Sequence, residues 1–499
     1  MSVDEESWPS HQSTPNLPST PYEGKEPSYE VTLPPHEHPQ NLPLLTRWVA
    51  VVTICIGAIC TACASSAVGA LLASFTEIPA ALEFGVGREV TILAISLYVM
   101  GLGLGPLIAG PLSDVVGRRA VYLSSFALFF CFSWPVAFAP DIAVFLIFRF
   151  VTGFVASAFL SVAGGSVSDM FADHEVATPM AVYTMSPFLS PELGPLYSGF
   201  VNQHLNWRWT YHILTIFSFL TLIAIYLFVP ESYLPVVLKR KARRLRKETG
   251  DDRYFAPAEH SGKSFGQMLL KSCTTPFLLL LREPMALLID TWNSLILGIL
   301  YLAFQAFPII FGNVHGFDTQ FVGLTFVGIM IGMLFGLTTV PLWNANYRRR
   351  KLALNGQAPP PEIHLLAGQV GGILVAGGLF WLAFTTYRSV HWIVPVIASV
   401  PFGTGVYFVF SSSFTYLVVA YRPVAASAMA GNSAMRSSFA AGFPLFAGAM
   451  YNRLGTVGAT ALLAGLTAVM APLPFIFYRY GARLRAKSKF ATPDPAAES

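Results

Sequence analysis

Charge is what this chain has least of. Asp, Glu, Lys and Arg together make up 12% of its 499 residues, about half the share of an ordinary soluble domain. A soluble chain of this length needs a charged surface, and this one lacks the residues to build it. Cysteine is scarce as well: there are five, four of them (Cys55, Cys60, Cys63, Cys131) inside apolar runs and Cys273 in a loop. That excludes a secreted disulfide scaffold. Cys60-Thr-Ala-Cys63 has the spacing of a metal or redox pair, but in an apolar run no metal or cofactor is expected from it. No Asn-x-Ser/Thr sequon occurs, and no basic stretch leading into an apolar core marks a cleaved signal peptide. No histidine lies deep in an apolar run, so carboxylates must carry any proton. A soluble enzyme and a disordered protein are both excluded.

Hydrophobic residues are what the chain has in excess. They make up 54% of it, with a mean hydropathy of +0.56, and they fall in runs of about 20 residues, the length a helix needs to cross the hydrocarbon of a bilayer. Twelve such spans are expected, at about 48–74, 91–112, 120–138, 142–167, 178–202, 209–229, 284–311, 319–342, 365–386, 392–418, 424–450 and 456–478. The fold class expected is an all-α polytopic membrane protein of twelve transmembrane helices. Its parts are a disordered tail (1–46, with nine prolines), a first six-helix bundle (47–229), a basic linker (230–283), a second bundle (284–478) and a basic tail (479–499). With the amino terminus in the cytoplasm, 25 of the 31 Lys and Arg fall on the cytoplasmic side. Both termini are therefore expected there. The basic run Lys239–Lys247 reads as a topology anchor and a contact for anionic lipid, not for nucleic acid.

An internal repeat supports the six-plus-six division. Pro111-Leu-Ser-Asp-Val-Val-Gly-Arg-Arg119 after span 2 aligns without a gap on Pro341-Leu-Trp-Asn-Ala-Asn-Tyr-Arg-Arg349 after span 8. The same loop at the same place in each half is the mark of a duplicated transporter. The first copy, with Gly110, Asp114, Gly117, Arg118 and Arg119, also reads on its own terms as a helix cap and topology signal. Further charges are buried in the spans. Arg149 costs about 2.5–3.5 kcal/mol at a helix centre and so needs a partner or a wet cavity. Glu192 and Asp290 are the mid-span acids. Glu192 sits among Pro187, Pro191, Gly194, Pro195 and Gly199, whose prolines recur every four residues and bend a helix along one face.

The loop Gly110–Arg119 is similar to the GxxxDxxGRR/K loop of the major facilitator superfamily. That resemblance implies two six-helix bundles around a central cavity that faces each side in turn. It also implies that Gly110, Asp114, Gly117, Arg118 and Arg119 form a latch that breaks and reforms during the cycle. Arg149 and Gly153 resemble the family's proton-linked RxxxG motif, and Pro191, Gly194, Pro195 and Gly199 its antiporter motif, with Ser198 replacing one glycine. Asn206-Trp-Arg-Trp209, Pro230-Glu-Ser-Tyr-Leu-Pro235 and Arg282-Glu-Pro284 resemble the fungal twelve-span drug:proton antiporter branch, whose members commonly carry Glu where this chain has Gln305.

Proton coupling is accordingly expected at Arg149, Glu192 and Asp290. Cavity candidates are Tyr98, Trp292, Tyr301, Phe304, Gln305, Tyr407, Phe408 and Arg436. The leading function is proton-driven export of a drug, secondary metabolite or organic acid across the cell membrane. Proton-coupled uptake and a transport-inactive receptor are the alternatives. The expected partners are a small-molecule substrate, protons and the lipid bilayer, and the protein is expected to act as a monomer.

Overall fold

The computed structural model describes residues 29–34, 37–67, 79–172, 175–260, 265–355, 357, 359–486, 488 and 490–491. Parts of the expected tails, of span 48–74 and of the linker lie outside the described residues. Ten helical stretches are long and apolar enough to cross a membrane. The first half contributes α1 (Leu44–Ser66), α2 (Arg88–Val116), α3 (Arg118–Ala137), α4 (Ile142–Met170) and α6 (Arg208–Phe228). Between the last two lies α5 (Ala177–His204), whose three prolines, serines and Glu192 lower its hydropathy, though 28 residues reach ~42 Å. The second half contributes α7 (Pro284–Val314), α8 (Thr319–Ala353), α9 (Pro361–Ala383) and α10 (Ile393–Ala420). Hydrogen bonding then runs on from Ala425 to Met470, but Gly455 at φ 70°, ψ 171° breaks the axis. A side chain resists that conformation and glycine does not. The break separates α11 (425–454) from α12 (456–485), giving twelve crossings and two six-helix bundles.

The prolines of α5 show how irregular backbone survives in hydrocarbon. Each proline removes an N–H and frees the carbonyl four residues earlier. Pro187 frees the Tyr183 carbonyl, which the Ser186 hydroxyl takes at 2.8 Å. There a nearby hydroxyl satisfies what the proline leaves open.

The halves pack along α2 against α11 and along α5 against α8. Arg118, Arg119, Arg348, Arg349, Arg350 and the linker gather at what is here called the basic end. Cross-half hydrogen bonds close the opposite end: Ser65 to Tyr301 at 2.8 Å, Arg88 to Gln305 at 3.3 Å and His204 to Gln320 at 3.2 Å. Gly199 and Gly323 allow α5 and α8 to touch nearby.

The linker is more structured than its polarity suggests. It forms the helices Leu234–Thr249 and Phe265–Arg282. The described part of the expected disordered tail packs on it. Val31 is buried with Ala242 and Ala256, and its N–H donates to the Phe255 carbonyl at 3.0 Å. Glu37 pairs with Lys241 at 2.7 Å. Tyr29 and Val31 supply an apolar alternation that these linker residues cover, a signal that the surrounding prolines obscure.

Candidate functional site

At the basic end the turn between α2 and α3 is built on Gly117, whose φ of 105° suits glycine alone. A side chain there would also strike the Glu231 carboxylate. The turn directs Arg118 back over the end of α2. Its Nη1 donates to Asp114 at 2.9 Å and its Nε to Asp169 at 3.3 Å, while its backbone N–H donates to Glu231 at 2.8 Å. The guanidinium lies 4.5 Å from the Tyr233 ring centroid, and Glu231 also pairs with Arg240 at 3.5 Å. Arg119 turns the other way and donates to the Tyr226 carbonyl of α6 at 2.8 Å. Gly110 has open space where a Cβ would stand. All these bonds stay within the first half and the linker.

In the membrane interior the two expected coupling charges of the first half stand apart. Arg149 is 2% exposed and bonds backbone: its Nε donates to the Ala94 carbonyl at 3.1 Å and its Nη1 to the Ala64 carbonyl at 3.0 Å. It lies 4.3 Å from the Tyr98 ring centroid, and the Tyr98 hydroxyl donates to the Thr61 carbonyl at 2.8 Å. Arg149 therefore ties α1, α2 and α4 together. Glu192, midway along α5, is 1% exposed, and neither of its oxygens has a hydrogen-bond partner among the described residues. Pro191 shares its bent stretch, with Pro195 one turn on. Gly194 brings α5 against Ser66 and Ala67 of α1.

The second half reverses this arrangement. Asp290 of α7 accepts from Asn432 Nδ2 of α11 at 2.8 Å. One turn further along α11, Arg436 lies 5.7, 5.6 and 5.1 Å from the ring centroids of Phe188, Phe410 and Phe414.

The remaining candidates divide by position. Tyr301 and Gln305 reach across to the first half through Ser65 and Arg88. Trp292 rests against Gly368 and Gly372 of α9, Tyr407 against Gly336 of α8, and Phe408 against Gly371 of α9. Phe304 packs 5.4 Å from Phe326 of α8. These four side chains have packing partners inside the second bundle.

A family model described as Major Facilitator Superfamily matches residues 54–442. The chain belongs to that superfamily. Among curated proteins it is 50% identical over 397 residues to "Efflux pump atB" of Aspergillus terreus, covering 78% of this chain and 83% of that one. It is 42% identical over 414 residues to "Probable drug/proton antiporter YHK8" of Saccharomyces cerevisiae, covering 83% and 80%. Solved structures with this fold include the xylose transporter XylE of E. coli in a partially occluded inward-open conformation (TM-score 0.57, 14% identity, covering 87% and 98%). The human organic anion transporter MFSD10 is similar at TM-score 0.56 and 17% identity, covering 87% and 100%.

Within this major facilitator fold, sequence reasoning missed Asp169, Glu231, Tyr233 and Arg240, which complete the Arg118 cluster. Glu231 lay in the quoted Pro-Glu-Ser string but carried no role until α6 brought it beneath the turn. Asp169 at the end of α4 gave no local signal. Arg88 also went unremarked, because only its Gln305 contact across the halves reveals it.

Proposed function

We propose that the chain exports a small organic molecule (a drug, a secondary metabolite or an organic acid) in exchange for protons, by alternating access between its two bundles. The observation that carries this reading is Glu192, a carboxylate sealed in the membrane on a helix that packs against the other half, with no hydrogen-bond partner among the described residues. An acid in that setting gains or loses a proton as its surroundings switch between dry and wet. Each proton moving inward supplies about 2.3 kcal/mol per 100 mV. Arg149 holds α1, α2 and α4 in place around the path, and Asp290 with Asn432 is the second acid available to the cycle.

The basic end faces the cytoplasm in this reading, with both chain termini inside the cell membrane and a single copy as the working unit. The conformation described here is bonded at the end opposite the basic end. Opening the other way requires the Ser65–Tyr301, Arg88–Gln305 and His204–Gln320 contacts to part while the Asp114–Arg118 cluster engages the second half. The names of the fungal relatives support the direction of transport.

The test is efflux in inside-out vesicles under an imposed pH gradient. Wild type is expected to accumulate substrate when the lumen is acidic and to stop when the gradient collapses. Accumulation independent of the gradient, or with its reverse, overturns the reading.

A further inference from the structure

We infer that Arg436 is where the transporter recognises an anionic group, a carboxylate or a group of like shape, on its substrate. This rests on the export reading above and names the chemical class that the same path takes.

Arg436 lies midway along α11 at the seam between the halves, since Phe188 belongs to α5 of the first half and Phe410 and Phe414 to α10 of the second. It makes no hydrogen bond or ion pair among the described residues, and its Nε is fully buried without a partner. Arg149, which is 2% exposed, differs in bonding two carbonyls, whereas Arg436 is only partly buried. The charged and titratable groups around Arg436 are Tyr183, Tyr301 and Asp290. The Tyr183 hydroxyl donates to the Phe159 carbonyl at 3.0 Å, Tyr301 bonds Ser65, and Asp290 is held by Asn432. Each already has a partner, and none of them pairs with the guanidinium.

An unpaired cation inside a membrane is costly, and contact with aromatic faces offsets only part of that cost. A carboxylate offsets it best, because the guanidinium fork matches its two oxygens. The same three phenyl rings give the body of such a ligand an apolar, flat surface to lie on. The chemistry that fits is an organic acid whose carboxylate is carried on an aromatic or otherwise apolar frame.

Three probes with one ring system test this on the purified full-length protein in lipid nanodiscs: 1-naphthoate, 1-naphthamide and 1-naphthylmethylammonium. Wild type is expected to bind the naphthoate about ten-fold more tightly than the amide, the worth of one charge-assisted contact. Arg436→Gln is expected to erase that preference, weakening naphthoate binding far more than amide binding. Arg436→Lys, which keeps the charge and loses the fork, is expected to weaken naphthoate binding several-fold. Equal binding of naphthoate and amide by wild type overturns the inference, and that comparison needs no variant to fold. So does an Arg436→Gln protein that keeps the preference, or one that alters the pH profile of all three probes alike, which would make Arg436 a partner of Glu192. Vesicle transport separates the two readings. If wild type pumps the amide or amine without preferring naphthoate, export stands and this inference falls. If naphthoate binds through Arg436 and no probe is pumped, the anion site stands and export falls.

Discussion

The two halves share a loop and differ in what they do with charge. In the first half Asp114, Arg118 and Asp169 form a cluster in which the Asp114 side chain is 44% exposed. In the second half the residue aligned with Asp114 is the neutral Asn344. The basic end is secured there by Glu362 and Arg485 at 2.8 Å, with side chains 6% and 2% exposed, joining the start of α9 to the end of α12. An exposed pair contributes up to about 1 kcal/mol and can part and reform readily. A sealed pair costs several kcal/mol to break on one side only. The first half thus keeps charges suited to switching, and the second keeps a fixed tie. Inside the membrane the inversion is complete. Among the described residues the first half engages its arginine and leaves its acid without a hydrogen bond, and the second engages its acid and leaves its arginine without one.

Removing the free acid breaks this comparison most severely. Glu192→Gln is expected to reduce pH-gradient-driven export to background while substrate binding survives, measured as vesicle efflux beside equilibrium binding. Export with an unchanged pH profile would move the proton site to Asp290. Next comes the sealed pair. Arg485→Met is expected to lower folding stability by about 3 kcal/mol by leaving the Glu362 carboxylate buried without this partner. Adding Glu362→Leu should restore most of it, read as melting temperature in detergent. A melting temperature unmoved by either change would show that the tie carries no stability.

Asp114→Asn and Arg118→Ala are each expected to slow transport several-fold with little change in melting temperature. Their double variant should cost less than the two single effects combined, because both act through one cluster. Additive losses would separate them. The smallest effect is expected outside the membrane. Arg208 donates from Nε at 3.1 Å and from Nη2 at 2.7 Å to one oxygen of the Glu83 carboxylate, and holds the acid below its ordinary value of 4.5. A lowered value in the fold means stability is present above pH 4.5 and lost as pH falls below it. With Glu83 41% exposed, the loss is expected to stay under about 1 kcal/mol. Glu83→Gln should flatten that part of the pH–stability curve, and an unchanged curve would dismiss the pair.

Much of the architecture was legible in the sequence because a bilayer leaves so few options. Runs of apolar residues must become helices, and the repeated loop announced the duplication. The division between spans 11 and 12 was legible too, falling between 450 and 456, although the two join in one hydrogen-bonded run that bends at Gly455. The interior site was legible only as a set of charges. Glu192 and Arg149 were both visible as buried groups on neighbouring spans, and nothing local said that Arg149 would turn to the carbonyls of Ala94 and Ala64. Likewise Trp292, Tyr407 and Phe408 carried aromatic signals indistinguishable from those of Tyr301, because helix rotation is decided by packing across the bundle.

The short stretch before α1 changes how the linker works as a mechanical part. Val31 and Glu37 grip the helix Leu234–Thr249, Arg246 holds Glu259 at 2.6 Å, and Glu231 is bonded to the turn before α3. From Glu231 to Glu259 the linker travels with the first half as one lever arm. Its nominal length therefore overstates the slack between the bundles.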